Sequence, residues 1–216
     1  MTVHVRNVTK TIKGVKVLDD ISIDIPSGSV TGLRGINGSG KTMLMRAVCG
    51  LIGLDDGSIE VDGKRVGVDV DSPPSVGLLI ENPGFIDGFS GFDNLWLLAQ
   101  LTGRIGSREV ESALELVGLK SARDKAYRTY SLGMKQRLGI AAAIMESPDL
   151  VVLDEPTNAL DESGVALIQD IVHAQADRGA AVLVASHDAA VLSSLADRIY
   201  ELYEGRIKGE VCCEST

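Results

Sequence analysis

Strict alternation opens the chain. "VHVRNV" (residues 3–8) and "ISIDI" (21–25) put an apolar side chain at every second position, the pattern of strands with one buried face. "PSG" (26–28) is a turn, and the short apolar run "VTGL" (30–33) follows it. A glycine-rich loop then leads into a helical pattern from residue 41 to about residue 51. "GSIEVDGKRV" (57–66) reads as a hairpin turning at Asp62–Gly63. "VGLLI" (76–80) is a solid apolar run, as a strand buried on both faces would be. From 82 to about 146 the period becomes helical, in "FDNLWLLAQL", "REVESALELVGL" and "LGIAAAIM", and Gly118 suits the end of the second of these helices. Beyond Pro148 short apolar strands alternate with helices: "LVVL", a helix over 164–178, "AVLVA", a helix over 189–196, and "RIYEL". The "YEGR" turn is expected to lead into the tail.

Apolar strands separated by helices predict a mostly parallel sheet covered on both faces. The expected fold is therefore α/β. It has a core sheet flanked by helices, an antiparallel β layer from the N-terminus, and a helical insertion over about 82–146 within a single domain, 1–216. No internal repeat or low-complexity stretch interrupts it.

Composition narrows the function. A net charge of −9 argues against a protein that holds nucleic acid by counterion release, and offers no general attraction to an anionic membrane. No apolar run reaches the roughly 18 residues of a membrane span, and "MTVHVRNVTK" has no signal-peptide core, so the expected location is the cytosol. Three cysteines, Cys49, Cys212 and Cys213, suggest no disulfide framework. Cys49 reads as a core residue and the other two as incidental in the tail.

The candidate chemistry begins at "GINGSGKT" (35–42), which matches the G-x-x-x-x-G-K-[ST] phosphate loop between a strand and a helix. Glycines let backbone N–H groups curl around an anion, and the helix N-terminus adds partial positive charge. Gly35, Asn37, Gly38, Ser39, Gly40, Lys41, Thr42 and the following Met43 are the expected nucleotide contacts. Lys41 reaches the β- and γ-phosphates, and the Thr42 hydroxyl serves Mg²⁺. "LVVLDEP" delivers Asp154 and Glu155 to the carboxyl edge of the sheet, where ligands collect. Asp154 is the expected Mg²⁺ carboxylate and Glu155 the base that activates water. "AVLVAS" ends at His187, which is expected to face the same crevice and sense the γ-phosphate.

Together these motifs resemble the ATP-binding cassette subunits of ABC transporters, over nearly the whole chain. "GINGSGKT" is similar to the Walker A loop and "LVVLDE" to the Walker B strand. "NALD" (158–161) is similar to the D-loop, "SHD" to the switch histidine, and "YSLGMKQR" (130–137) to the signature usually written LSGGQ. The resemblance implies ATP and Mg²⁺, a second cassette joined head to tail as a homodimer, a membrane permease partner, and no nucleic acid. It implies a cytoplasmic protein held at the inner face of the membrane through that permease. It also implies that Ser131, Leu132, Gly133 and Met134 meet the ATP bound to the partner cassette, and that Ala159 and Asp161 belong to the D-loop.

Three departures stand out. Leu132 and Met134 replace the family's usual Gly and Gln, a wording similar to bacitracin-resistance and lantibiotic-immunity exporter cassettes. Glu81 stands where the family usually has the Gln that binds Mg²⁺ and links to the membrane subunit; a carboxylate is a stronger ligand for that ion. Ile12 stands where the family stacks an aromatic on adenine, a loss worth about 1 kcal/mol if base-stacking values carry over. "NPGFIDGFSGFDNLWLLAQL" (82–101) holds all 3 Phe residues and the 1 Trp, most of them expected in the core and one or two exposed where a membrane subunit docks. The expected function is ATP hydrolysis that powers an exporter of drugs or peptide antibiotics. The alternatives are a soluble cassette ATPase acting on ribosomes or DNA, which the acidic single-cassette chain disfavours, and a weakly hydrolysing regulatory cassette, which Glu155 and His187 disfavour.

Overall fold

The computed structural model describes residues 1–81 and 84–212. Asn82, where the helical insertion was expected to begin, and Cys213 lie outside them. Strands β1 (Val3–Ile12) and β2 (Val15–Ile25) form a hairpin whose turn, Lys13–Gly14, has φ of 50° and 80°. β3 (Ser29–Arg34) feeds the glycine-rich loop and α1 (Lys41–Val48). β4 (Asp56–Val61) and β5 (Lys64–Arg65) turn at Asp62–Gly63, with φ of 48° and 77°, as the Asp-Gly pair predicts. These strands make an antiparallel sheet in the order β2-β1-β4-β5.

The second sheet holds the chemistry. β6 (Val76–Leu79), β7 (Leu150–Asp154), β8 (Ala181–Ser186), β9 (Arg198–Tyr203) and β10 (Arg206–Cys212) join β3 in the order β10-β9-β3-β8-β7-β6. All neighbours are parallel except β9 and β10. Both faces of this sheet are buried, and the pleat divides them. Val151, Leu153, Val182 and Val184 point into the helical layer, while Leu150, Val152, Leu183 and Ala185 point toward α1 and the antiparallel sheet. This two-sided burial is why the strands read as unbroken apolar runs.

α2 (Gly91–Thr102), α3 (Ser107–Leu116) and α4 (Leu132–Ile144) form the insertion. Their buried residues share one core with β7 and β8, together with α5 (Glu162–Asp177) and α6 (Ala189–Leu195). Gly118, at φ 68°, follows the end of α3 as expected.

One strand escaped the sequence reading. "YEGR" does not lead into a tail: Glu204 and Gly205, with φ of 47° and 76°, turn the chain into β10, antiparallel to β9. β10 is an edge strand with mostly exposed side chains, so it lacks the apolar run that betrayed its neighbours. Cys212 is its exposed last residue. Cys49 is buried at the end of α1, and that burial pushes its thiol up to about 12.

Candidate functional site

Three strand ends converge at one edge. β8 lies between β3 and β7, with Arg34 opposite Ser186 and Asp154 opposite Ala185. The loop after β3, the carboxylates after β7 and the histidine after β8 therefore meet in one crevice, although more than a hundred residues of chain separate the first from the second.

The glycine-rich loop is shaped for an anion. Gly40 caps α1 at φ 111° with no side-chain bond to the helix amides, so those donors stay open to a ligand. A Cβ at Gly40 would lie 2.7 Å from the Val17 carbonyl. One at Gly35 would lie 2.5 Å from the Leu202 carbonyl and strike the Ser39 hydroxyl. Ser39 Oγ itself is buried without a hydrogen-bond partner, a cost that a bound phosphate would relieve. Lys41 is only 5% exposed; its Nζ donates to the Gly35 carbonyl at 2.6 Å and stands 3.8 Å from Glu155 Oε1. The loop, Val17, Met43, Asp154 and Glu155 enclose a cleft of about 290 Å³.

Thr42 Oγ1 donates to Asp154 Oδ2 at 2.6 Å. Burial raises the Asp154 carboxyl above its ordinary value, the Thr42 bond opposes the rise, and the Glu155 charge adds to it. A hydroxyl oxygen beside a carboxylate is a hard donor set that suits Mg²⁺. Among the described residues no group of three or more His, Cys, Asp or Glu side chains is gathered to hold a metal alone.

Glu155 is held in an uncommon conformation, φ 50°. Its N–H donates to the Ala185 carbonyl at 2.9 Å. Its Oε1 accepts the His187 backbone N–H at 3.0 Å, and its Oε2 accepts the Ser186 hydroxyl at 3.2 Å and faces His187 Nδ1 at 2.9 Å. The glutamate and the strand-end histidine thus form one unit over the loop.

The remaining residues fall elsewhere. Ser131 caps α4, its Oγ accepting the Met134 N–H at 3.2 Å. Ser131, Leu132 and Gly133 line a separate cleft of about 480 Å³ with Ala159, Asp161 and Arg137. A Cβ at Gly133 would come 2.9 Å from the Ala159 carbonyl, which is why this contact needs glycine. Asp161 caps α5, accepting the Gly164 N–H at 2.8 Å. Glu81 is bound to Arg46 of α1 at 2.7 Å rather than to the Thr42–Asp154 pair. Ile12 sits beside the β1–β2 turn; of the N-terminal hairpin it is Val17 that lines the phosphate cleft. Val17 and Arg46 make contacts that no motif announces, and Ser186 and Gln136 stand inside the "SHD" and "YSLGMKQR" stretches without having been given a role there.

Comparison with known proteins agrees with this arrangement. The ABC transporter family matches residues 18–158. An uncharacterized ABC transporter ATP-binding protein of Bacillus subtilis, YybJ, is 43% identical over 95% of this chain and 94% of its own length. The chain belongs to the ABC transporter family. It is an ATP-binding subunit of such a transporter and an ATPase. The bacitracin transport ATP-binding protein BcrA of Enterococcus faecalis is 38% identical over 97% of this chain and 68% of its own. Among solved structures, the ATP-binding cassette MJ0796, a dimer bound to ADP and Pi, superposes with a TM-score of 0.89 at 22% identity, covering 99% of this chain and 100% of that one. This last match establishes the fold.

Proposed function

We propose that two copies of this cassette close head to tail around ATP and power a separate membrane permease that exports a drug or peptide antibiotic. The observation that carries the pairing is that the phosphate cleft and the signature cleft share no residue. Each is half a site, open at the surface, and a second copy supplies the missing half. Gly35, Asn37, Gly38, Ser39, Gly40, Lys41, Thr42 and Met43 hold the phosphates of one ATP. Ser131, Leu132, Gly133 and Met134 of the other copy, at the N-terminus of α4, cover its γ-phosphate. Ala159 and Asp161 keep the D-loop against that helix.

Thr42 and Asp154, with Glu81 once it leaves Arg46, would hold Mg²⁺, which would supply positive charge to the phosphates. Glu155 takes the proton of the attacking water, a contribution worth about 10²–10⁴ in rate. His187 orients Glu155 through its Nδ1 contact and faces the γ-phosphate from the end of β8. Ile12 and Val17 are the apolar surface offered to the base.

The permease would dock on α2. Phe85 and Phe92 pack into the insertion, the latter stacked on Trp96 at 6.4 Å. Phe89 is 41% exposed and, with Trp96 and Leu97, lines a shallow hollow of about 240 Å³. No helix among the described residues is long and apolar enough to cross a membrane, so this docking is what would hold the subunit at the inner face. Similarity to a bacitracin transport protein and the "SLGMKQR" wording support the substrate class.

Sedimentation of Glu155→Gln with and without Mg²⁺-ATP tests the pairing. The variant should bind without hydrolysing, and its mass should double only when ATP is present. A mass that stays monomeric at saturating ATP overturns the homodimer.

A further inference from the structure

α4 opens at the signature cleft, yet its next turn reaches the chain's own glutamate. Gln136 is half-buried on α4, and its Nε2 donates to the backbone carbonyl of Glu155 at 2.9 Å. Because the partner is a carbonyl, which can only accept, the amide must present its N–H₂ there. Gln136 lies three residues beyond Gly133, on the same helix face. That face is laid along the loop that leaves β7: Gly133 against the Ala159 carbonyl, Gln136 against the Glu155 carbonyl.

The residue being held is one that needs holding. A non-glycine residue at φ 50° lies in a region that costs about 1–3 kcal/mol and persists only when its surroundings fix it. The Glu155 N–H is fixed by Ala185 and its carboxylate by Ser186 and His187. The carbonyl is fixed by Gln136 and, at 3.2 Å, by the Asn158 N–H. All but one of these partners belong to β8 and its end or to the β7 loop itself; Gln136 alone comes from the signature helix.

We infer that Gln136 is a positioning residue for hydrolysis: it fixes the backbone of Glu155 and ties the base of each cassette's own ATP site to the helix that engages the partner's ATP. This inference rests on the reading of Glu155 as the base. A shift of α4 at the partner nucleotide would then be felt at the Glu155 carbonyl. A misplacement of the order of 1 Å at a reacting group can cost about a hundredfold in rate.

The test is a cycle of the full chain, Gln136→Met, Glu155→Gln and both together, followed by turnover at saturating Mg²⁺-ATP and by ATP affinity. Methionine keeps the length and helix preference but has no donor. We expect Gln136→Met to lower kcat at least about tenfold and to leave ATP affinity within about twofold, in the wild type and in the Glu155→Gln background alike. Gln136→Glu, which keeps length and polarity but cannot donate when ionised, should behave alike and guards against a packing fault in the methionine variant. Wild-type kcat in both Gln136 variants, beside an inactive Glu155→Gln, overturns the inference and leaves the glutamate's role intact. A loss of ATP affinity that matches the loss of kcat reduces Gln136 to a packing residue and overturns it too. A fully active Glu155→Gln instead overturns the reading of the base on which this stands.

Discussion

The N-termini of α1 and α4 each border a surface cleft, and they are finished in opposite ways. α1 begins at Gly40, with φ 111° and no side chain on its amides. α4 begins at Ser131, whose hydroxyl takes the Met134 N–H. Both ends carry the same partial charge. The first is left open at the base of a narrow cleft beside a buried lysine and an unpartnered serine hydroxyl. The second is already satisfied, and Leu132 beside it is 65% exposed. In the proposed pair α1 binds an anion by itself, whereas α4 needs none for its cap and adds its dipole when a second copy brings a phosphate to it. In that reading one helix end is a site and the other completes a site.

The largest test of this contrast exchanges the two glycines. At Gly40 an alanine must adopt a left-handed backbone and meet the Val17 carbonyl. The loop should relax away, and ATP binding, which must restore it, should weaken by about 5–30-fold for roughly 1–2 kcal/mol of strain. Equilibrium binding of a fluorescent ATP analogue measures it. Gly133→Ala introduces a Cβ 2.9 Å from the Ala159 carbonyl without a positive φ. It should leave monomer affinity within about twofold and weaken the ATP-dependent pair by about tenfold, seen by sedimentation. Equal loss of ATP affinity in both variants would erase the distinction between the two helix ends.

A smaller effect comes from the cap. Ser131→Ala should cost about 1 kcal/mol, lowering Tm by about 2–4 °C for a chain of this size, whereas an anion-only role for Ser131 leaves Tm unchanged without nucleotide. Smallest is a pH effect on α5. The Gly164 N–H and then the Ser163 hydroxyl hold the Asp161 carboxyl below its ordinary value. Its stabilising contribution is present above the ordinary aspartate value and fades as pH falls through the lowered folded one. The Tm difference between wild type and Asp161→Asn should shrink over that acid window; a constant difference would show that the charge is not involved.

Legibility followed chain distance. The phosphate loop is consecutive, and its glycines and lysine carry the geometry with them. β7 and β8 announced themselves because burial on both faces forbids polar residues. β10 did not, because an edge strand escapes that constraint. Ser131 was legible twice, as a cap and as part of a motif, since both uses depend on the same hydroxyl at a helix start. Glu81 was read as a metal ligand; what the sequence did not show is its bond to Arg46, a pairing across 35 positions that no local pattern encodes.

The sequence alone determined most of the elements, the anion-binding loop and the identity of the two carboxylates, because glycine freedom, apolar periodicity and charge are properties of neighbouring residues. Tertiary structure decided what those residues do together. Only the strand order β3-β8-β7 sets His187 and Ser186 against Glu155. Only the packing of α4 on the loop after β7 gives Gln136 its carbonyl and separates the signature from the chain's own phosphate cleft. Hydrogen bonds reach about 3 Å, so which distant residues come within that reach is settled by how the helices and sheets bury their apolar faces.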